Sequence, residues 1–131
     1  MLTALLLLAP APVIAPAAET PSEVAAAGNF VALLDAGRWD ESWQAAGALF
    51  QSQMPQGRWS TTIQPVRTPL GAAQSRSLAG TRKTRSLPGA PDGDYVVVQY
   101  RTDFASKAGA IETLVLSNER GGWKVDGYFI R

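Results

Sequence analysis

The strongest constraint on the fold is a change in the spacing of apolar residues near residue 73. Before this point, apolar side chains recur every three or four residues, which is the period of one helix face. After it come three β-branched and aromatic segments, DYVVVQYRTDF, IETLVLS and GWKVDGYFIR, joined by the short stretches FASKAGA and SNERGG. The pattern predicts an α+β fold in which N-terminal helices pack on a curved four-stranded antiparallel sheet.

A polar segment precedes these three strands and supplies the fourth. QSRSLAGTRKTRSL is typical of a polar, twisted strand in which Gly80 marks a bulge. The following PGAPDGD has the composition of a turn, with Gly89 and Gly93 at the permissive positions. We therefore expect a meander of four strands.

The first predicted helix has clear start and stop signals. Thr20 is the expected N-cap, Pro21 the first helical residue and Glu23 the partner that closes a capping box. Gly37 is placed to end the helix in a left-handed conformation. The apolar residues between these signals keep helical spacing: Val24, Ala27, Val31 and Leu34.

Two further helices are predicted before the sheet. The second carries one apolar stripe and stops at Pro55; the stripe is Trp39, Trp43, Ala46, Phe50 and Met54. Its spacing favours rings buried in the core over rings that stack on a cofactor. In the third helix, Pro65 predicts a kink or an early end, and the apolar side is Trp59, Ile63, Val66 and Leu70.

Residues 1–17 are interpreted as a secretory signal peptide ahead of a single α+β domain over residues 18–131. Their apolar core, Leu5 to Leu8, is shorter than the about 20 residues that a membrane span needs. A basic residue before the core is missing, so one alternative is that Met1 lies inside a longer leader. Another is an Ala/Pro tail on a cytoplasmic protein. We expect a periplasmic or secreted protein with no transmembrane span after cleavage.

The chain has no Cys and no His. Thiolate nucleophiles, imidazole bases and structural zinc sites built on these ligands are therefore excluded. We expect no metal and no cofactor, and any catalysis would depend on carboxylates, Tyr, Lys or Arg.

Charge is unevenly distributed although the net charge is only +1. No acid lies between Glu41 and Asp92, and four bases in that stretch form a candidate anion-binding strand: Arg76, Arg82, Lys83 and Arg85. The alternative is an edge strand whose cations discourage strand pairing between molecules. Nucleic acid is not expected as a partner, because aromatic residues that stack on bases are not interleaved with these cations.

If Phe104 faces Ala110 across the first hairpin, Tyr100 lies opposite Leu114 and Val98 opposite Leu116. Alternation along the strands then predicts which side chains face the helices. The inner face is expected to hold Val96, Val98, Tyr100, Leu114 and Leu116, and on the last strand Trp123, Val125, Gly127 and Phe129, with Tyr128 facing outward. The opposite face is mixed rather than polar, which makes a homodimer through that face plausible.

Glu112 is the charged residue that this alternation places inside. A functional interpretation makes it a proton-transfer or ligand-binding group in a pocket, with Tyr100 and Thr102 beside it. The structural interpretation pairs it with an arginine from the helical layer, and Arg67 is the first choice. A pair inside a pocket could itself bind a small polar ligand.

Five segments carry a resemblance to a known family: FVALLDAGRWDESW, RTPLG, SLPGAPDGDYVVVQY, FASKAGAIETLVL and GGWKVDGYFIR. In order and spacing they resemble the bacterial domain of unknown function 4019 over residues 23–131. The chain is also similar to the cone fold of nuclear-transport-factor-like and cystatin-like proteins, in which helices cover a curved sheet. That resemblance implies the fold but not the function, because this fold carries both enzymes and binding domains.

Three functions follow from these observations. The first is a non-catalytic binding or interaction module whose partner is a small ligand or an envelope protein. The second is a small isomerase-like enzyme that uses Glu112 and Tyr100 for acid-base chemistry. The third is a weak binder of envelope polyanions through the basic strand at 76–85.

Overall fold

The computed structural model describes residues 20–131, so the predicted signal peptide lies outside the described residues. This part of the chain forms four α-helices and a four-stranded antiparallel sheet, which confirms the predicted α+β class. The helices are α1 (Ser22–Asp35), α2 (Trp39–Ala45), α3 (Ala48–Gln53) and α4 (Gln56–Arg67), followed by a 3₁₀ turn (Thr68–Leu70). The strands are β1 (Ala73–Thr84), β2 (Tyr95–Phe104), β3 (Lys107–Glu119) and β4 (Gly122–Ile130).

The sheet has the simple order β1-β2-β3-β4, and the helices cover one of its faces. Helix α1 packs on β4, β2 and β3, while α2 packs on α4 and α3 on β4. The core lies between the layers and includes Phe30, Leu34, Trp59, Leu114 and Leu116. No helix within residues 20–131 combines the length and the apolar character that crossing a membrane requires.

Helix α1 confirms the predicted end but not the predicted start. Pro21 occupies the N-cap position and has no side-chain capping bond, so the predicted capping box on Thr20 is wrong. Gly37 ends the helix with φ of 71°. The amide of Gly37 donates to the Leu34 carbonyl and that of Arg38 to the Leu33 carbonyl, which is a Schellman motif.

The predicted second helix is divided into α2 and α3 at Ala46 and Gly47. Both residues are extended, and the Gly47 amide donates to the Val125 carbonyl of β4 at 2.8 Å. The Gly47 amide can make this bond because the backbone is no longer helical where the chain passes the edge strand β4. Trp39 and Trp43 are half-buried against the core, and Trp43 Nε1 donates to the Met54 carbonyl at 2.6 Å.

Helix α4 continues through Pro65 and ends at Arg67, so the proline does not stop it. Its buried face is Trp59, Ile63 and Arg67, whereas Val66 is exposed. The predicted stripe was therefore wrong at Val66, because four residues from Ile63 place the arginine over the core instead. Arg67 is 4% exposed.

Strand β1 confirms the predicted bulge, with a register shift between Leu78 and Gly80. Between β2 and β3, Tyr100 lies opposite Glu112 and Val98 opposite Leu114. The register expected from the sequence, with Tyr100 opposite Leu114, was wrong by two residues. A shift of two preserves which side chains share a face, so the predicted inner residues of β2 and β3 are buried.

Strand β4 contains a bulge that the sequence analysis did not predict. Val115 pairs with Gly127 and Leu116 with Val125, which leaves Asp126 as an extra residue. The bulge reverses the faces beyond it. Tyr128 is buried and Phe129 is 62% exposed, so both predictions for these two residues were wrong. Gly127 pairs with Val115 on the outer face, so its predicted inner position was wrong as well.

Candidate functional site

Glu112 lies at the centre of the sheet and its side chain is 0% exposed. It faces the helices because it shares the inner side of β3 with Ala110 and Leu114, which are equally buried. Glu112 therefore faces inward, as alternation along the strand predicted.

Both oxygens of the Glu112 carboxylate have hydrogen-bond donors. Oε1 accepts bonds from Arg76 Nε at 2.8 Å and from the Thr102 hydroxyl. Oε2 accepts a bond from the Tyr128 hydroxyl, and Arg67 Nη1 lies 4.0 Å away. The three donors come from β1, β2 and β4, and the ion pair with Arg67 adds α4, so the carboxylate ties the sheet to the helical layer.

A second carboxylate, Asp35 in the last turn of α1, completes the charge balance. Arg76 holds it with two hydrogen bonds, Nη1 to Oδ2 at 2.7 Å and Nη2 to Oδ1 at 2.9 Å. Arg67 Nη2 also donates to Asp35 Oδ1. Asp35, Arg67, Arg76 and Glu112 thus form a neutral set of two acids and two bases, which we call the ion-pair network.

Arg67 contacts Glu112, as predicted, but Arg76 is the closer cation. The guanidinium of Arg67 stacks on the Phe104 ring, with 4.9 Å from Cζ to the ring centroid. Within residues 20–131, its Nε and Nη1 atoms have no hydrogen-bond acceptor. Arg67 therefore bonds to Asp35 and acts on Glu112 through its charge, while Arg76 makes hydrogen bonds to both carboxylates.

The network shifts the pKa values of the groups around it. Burial lowers the pKa of the Arg76 guanidinium, but its hydrogen bonds to Asp35 and Glu112 reverse the effect and raise it. Burial raises the pKa of the Tyr128 hydroxyl, and the negative charge of Glu112 raises it further. Arg76 therefore stays charged and Tyr128 stays protonated, so Tyr128 acts as a hydrogen-bond donor.

The residues proposed to assist Glu112 are only partly brought together. Thr102 bonds to the carboxylate, but the Tyr100 hydroxyl donates instead to the Val24 carbonyl at 3.4 Å. A general base has to reach the proton that it removes. The Glu112 carboxylate is enclosed and holds three donors, so the arrangement suits a structural anion better than a proton acceptor.

The basic residues of β1 do not form one surface. Arg76 faces the core side and belongs to the ion-pair network. Lys83 lies opposite the buried Val96, whereas Arg82 lies opposite Val97 on the other face. Arg85 pairs with Asp94 at 2.6 Å. The candidate anion-binding set is thus divided among four environments.

Two contributors to the network were missed in the sequence analysis. Tyr128 could not be assigned because the bulge at Asp126 is not apparent from alternation. The position of Asp35 could have indicated a cationic partner. An acid in the last turn of a helix interacts unfavourably with the helix dipole unless a cation compensates it.

Removing the Tyr128 hydroxyl tests one of the hydrogen bonds that Glu112 accepts. We expect Tyr128→Phe to lower the free energy of unfolding by about 1.5 kcal/mol, because Glu112 Oε2 loses its closest donor inside the core. Tyr100→Phe is the matched control, since that hydroxyl makes only a long bond to a carbonyl. Urea unfolding measures both variants, and equal losses would contradict the assignment.

The stability of the protein in acid tests Asp35. Burial raises the pKa of the Asp35 carboxyl, but bonds and charges from Arg76 and Arg67 outweigh burial and lower it below 3.8. The folded chain therefore binds this proton less tightly than the unfolded chain. The stabilisation is complete above about pH 5 and is lost as the pH falls through the lowered pKa.

We expect Asp35→Asn to melt at a lower temperature than the parent at pH 6, and the difference to shrink between about pH 4 and pH 2. Asp92 is exposed, and Asp92→Asn is the control. Its melting temperature should equal that of the parent at every pH. A difference between Asp35→Asn and the parent that stays constant with pH would refute the role given to Asp35.

Comparison with known proteins places the chain in a family without supplying an activity. A search of curated proteins found no match. Residues 26–128 match the family described as protein of unknown function DUF4019, which covers most of the chain. The protein belongs to the DUF4019 family.

Proposed function

We propose that the protein is a non-catalytic binding or interaction module that is exported to the periplasm or secreted. We also propose that its fold belongs to the nuclear-transport-factor-like or cystatin-like cone class. Export rests on the apolar, Ala/Pro-rich leader at residues 1–17. The proposal that it is not an enzyme rests on the interior of the domain.

The observation that carries the proposal is the state of Glu112. Of the charged residues in the part of the chain described, it is the one with no exposed side-chain surface, and its neutralising arginine and two hydroxyl donors are all supplied by the fold. Such a carboxylate is stable without a ligand. An isomerase-like enzyme would need a carboxylate that a substrate can reach.

A melting screen separates these two functions. The binding module predicts that Glu112→Gln melts at a lower temperature than the parent, and that no compound from metabolite pools stabilises the parent without stabilising the variant equally. An enzyme that uses Glu112 predicts a variant as stable as the parent, together with a compound that shifts only the parent. The second result would refute the proposal that Glu112 has a structural and not a catalytic role.

The outer face of the sheet is the proposed interaction surface, and a second copy of the chain is its proposed partner. Phe129 is exposed there, with its ring against Gly127, and Val97 and Val115 are half-buried. Leu87 and Ala90 border a groove of about 300 Å³ beside Phe129. Apolar surface of this kind is typical of contacts between subunits.

Analytical ultracentrifugation tests the surface. We expect the parent to sediment as a dimer and Phe129→Ser as a monomer, because the serine removes the most exposed large apolar side chain of this face. Leu78→Ser is the matched control: Leu78 is 49% exposed but lies opposite Tyr100 on the other face, and its variant should remain dimeric. A parent that is monomeric at all concentrations would refute the dimer.

A further inference from the structure

A recess of about 550 Å³ lies where β1 ends and β2 and β4 begin. Its lining combines two aromatic rings with charged side chains: Lys83, Thr84, Arg85, Asp94, Tyr95 and Trp123. They come from three segments of the sequence, residues 83–85, residues 94–95 and residue 123. The basic strand carries no interleaved aromatic residues of its own, but the fold places Tyr95 and Trp123 beside its cations.

The two rings are held in place by the fold. Trp123 shares the helix-facing side of β4 with the buried Val125 and packs against the core while remaining half-buried. Tyr95 is buried, and its hydroxyl donates to the Pro91 carbonyl. A ligand ring that stacks on Trp123 would therefore meet an indole whose position is already set, which lowers the entropic cost of binding.

The cations of the recess differ in their environment. Lys83 is exposed on the helix-facing side of β1, and it forms no salt bridge with any residue from 20 to 131. Arg85 is exposed and is paired with Asp94. Lys83, Arg85 and Asp94 together carry a charge of +1, which favours a ligand with one negative group rather than a polymer of many.

We propose that this recess binds a small ligand in which a six-membered ring carries one carboxylate or phosphate group. The ring stacks on Trp123 and the anionic group is held by Lys83, with Arg85 beside it. A sugar acid and an aromatic acid share this chemistry, because each offers a flat apolar face and an anion. The inference rests on the proposed binding function and names the class of its ligand.

Nucleic acid fits the recess less well. Binding of a single strand depends on several stacked bases and a basic path along the backbone. Here one indole is half-buried, Arg82 lies on the opposite face of β1, and Arg76 is bound to Asp35 and Glu112. The cations are too dispersed to follow a phosphate backbone.

The test is a titration of the full chain followed by NMR of the tryptophan indole N–H signals, with the Trp123 signal assigned from Trp123→Phe. Glucuronate and benzoate are the two probes, glucose and benzyl alcohol their neutral counterparts, and acetate the anion without a ring. We expect one of the two acids to shift the Trp123 signal to saturation. Its neutral counterpart and acetate should bind at least about tenfold more weakly, because each lacks one of the two contacts. Whichever acid binds identifies the source of the ring.

Two exposed positions on β1 provide matched variants. Lys83→Gln should weaken binding of that acid about tenfold, since it removes the cation of the recess that is not paired with Asp94. Arg82→Gln removes the same charge from the other face and should change binding less than twofold. The proposal is overturned if neither acid saturates the signal, if the neutral counterpart binds as tightly as the acid, or if both variants weaken binding equally. Each of these results leaves the Glu112→Gln screen, and with it the assignment of the interior, unaffected.

Discussion

Arg76→Met is expected to lower the free energy of unfolding by about 3–5 kcal/mol, the largest effect of a single substitution that we predict. Arg76 is the cation that bonds directly to Glu112 and holds Asp35 with two hydrogen bonds. Methionine of similar length fills the space but leaves Glu112 buried with only Arg67 at 4.0 Å to balance its charge. Urea unfolding, followed by circular dichroism, measures the loss.

Arg82→Met is the control for Arg76→Met. Arg82 belongs to the same strand and carries the same charge, but it is exposed and makes no salt bridge within the described residues. Its replacement should change the free energy of unfolding by less than about 0.5 kcal/mol. Similar losses for the two variants would mean that Arg76 acts through general charge and not through the ion-pair network.

Gly47→Ala is expected to destabilise the protein by about 2–3 kcal/mol, although the change is a single methyl group. A Cβ atom at residue 47 would lie 2.2 Å from Asp126 Oδ1 and 2.8 Å from Glu119 Oε1. Moving these carboxylates aside would break the hydrogen bonds that they accept. Asp126 accepts bonds from the Ser117 hydroxyl and, at 3.4 Å, the Phe50 amide, and Glu119 accepts from the Ala48 amide at 2.7 Å.

Gly57→Ala separates this clash from a general cost of replacing glycine. Residue 57 lies in the first turn of α4, and nothing stands within 4 Å of the position that its Cβ would take. Alanine is the better helix former, so Gly57→Ala should raise the free energy of unfolding by up to about 1 kcal/mol. Thermal melting of both variants gives the comparison. A Gly47→Ala variant as stable as the parent would show that the contact of α3 with β4 is loose.

The sheet was predictable from the sequence to the extent that it depends on alternation. The inner residues of β2 and β3, Glu112 among them, were identified because the side-chain period of two survives an error of two in the register. The bulge at Asp126 adds one residue and reverses the faces of β4 beyond it. Gly127 is a possible signal of this bulge, because a glycine inside a strand often marks one. It was assigned to the regular alternation instead, so Tyr128 and Phe129 were placed on the wrong sides.

The prediction of the helical layer was wrong where tertiary contacts override the local sequence pattern. The stripe from Trp39 to Met54 is continuous in the sequence, yet the chain breaks at Gly47 to bond with β4. Likewise, the burial of Glu112 predicted a cationic partner, and one is present. Which arginine comes closest depends on the path of β1 across β2, a long-range feature that composition and periodicity do not contain.

A double-mutant cycle between Arg76→Met and Glu112→Gln tests most directly whether Glu112 is a structural anion. If the two side chains stabilise each other, the double variant will lose much less stability than the sum of the single losses, with a coupling free energy of at least about 2 kcal/mol. A coupling free energy near zero would contradict the account, because it would show that Glu112 is held in the interior for a purpose other than its bond to Arg76.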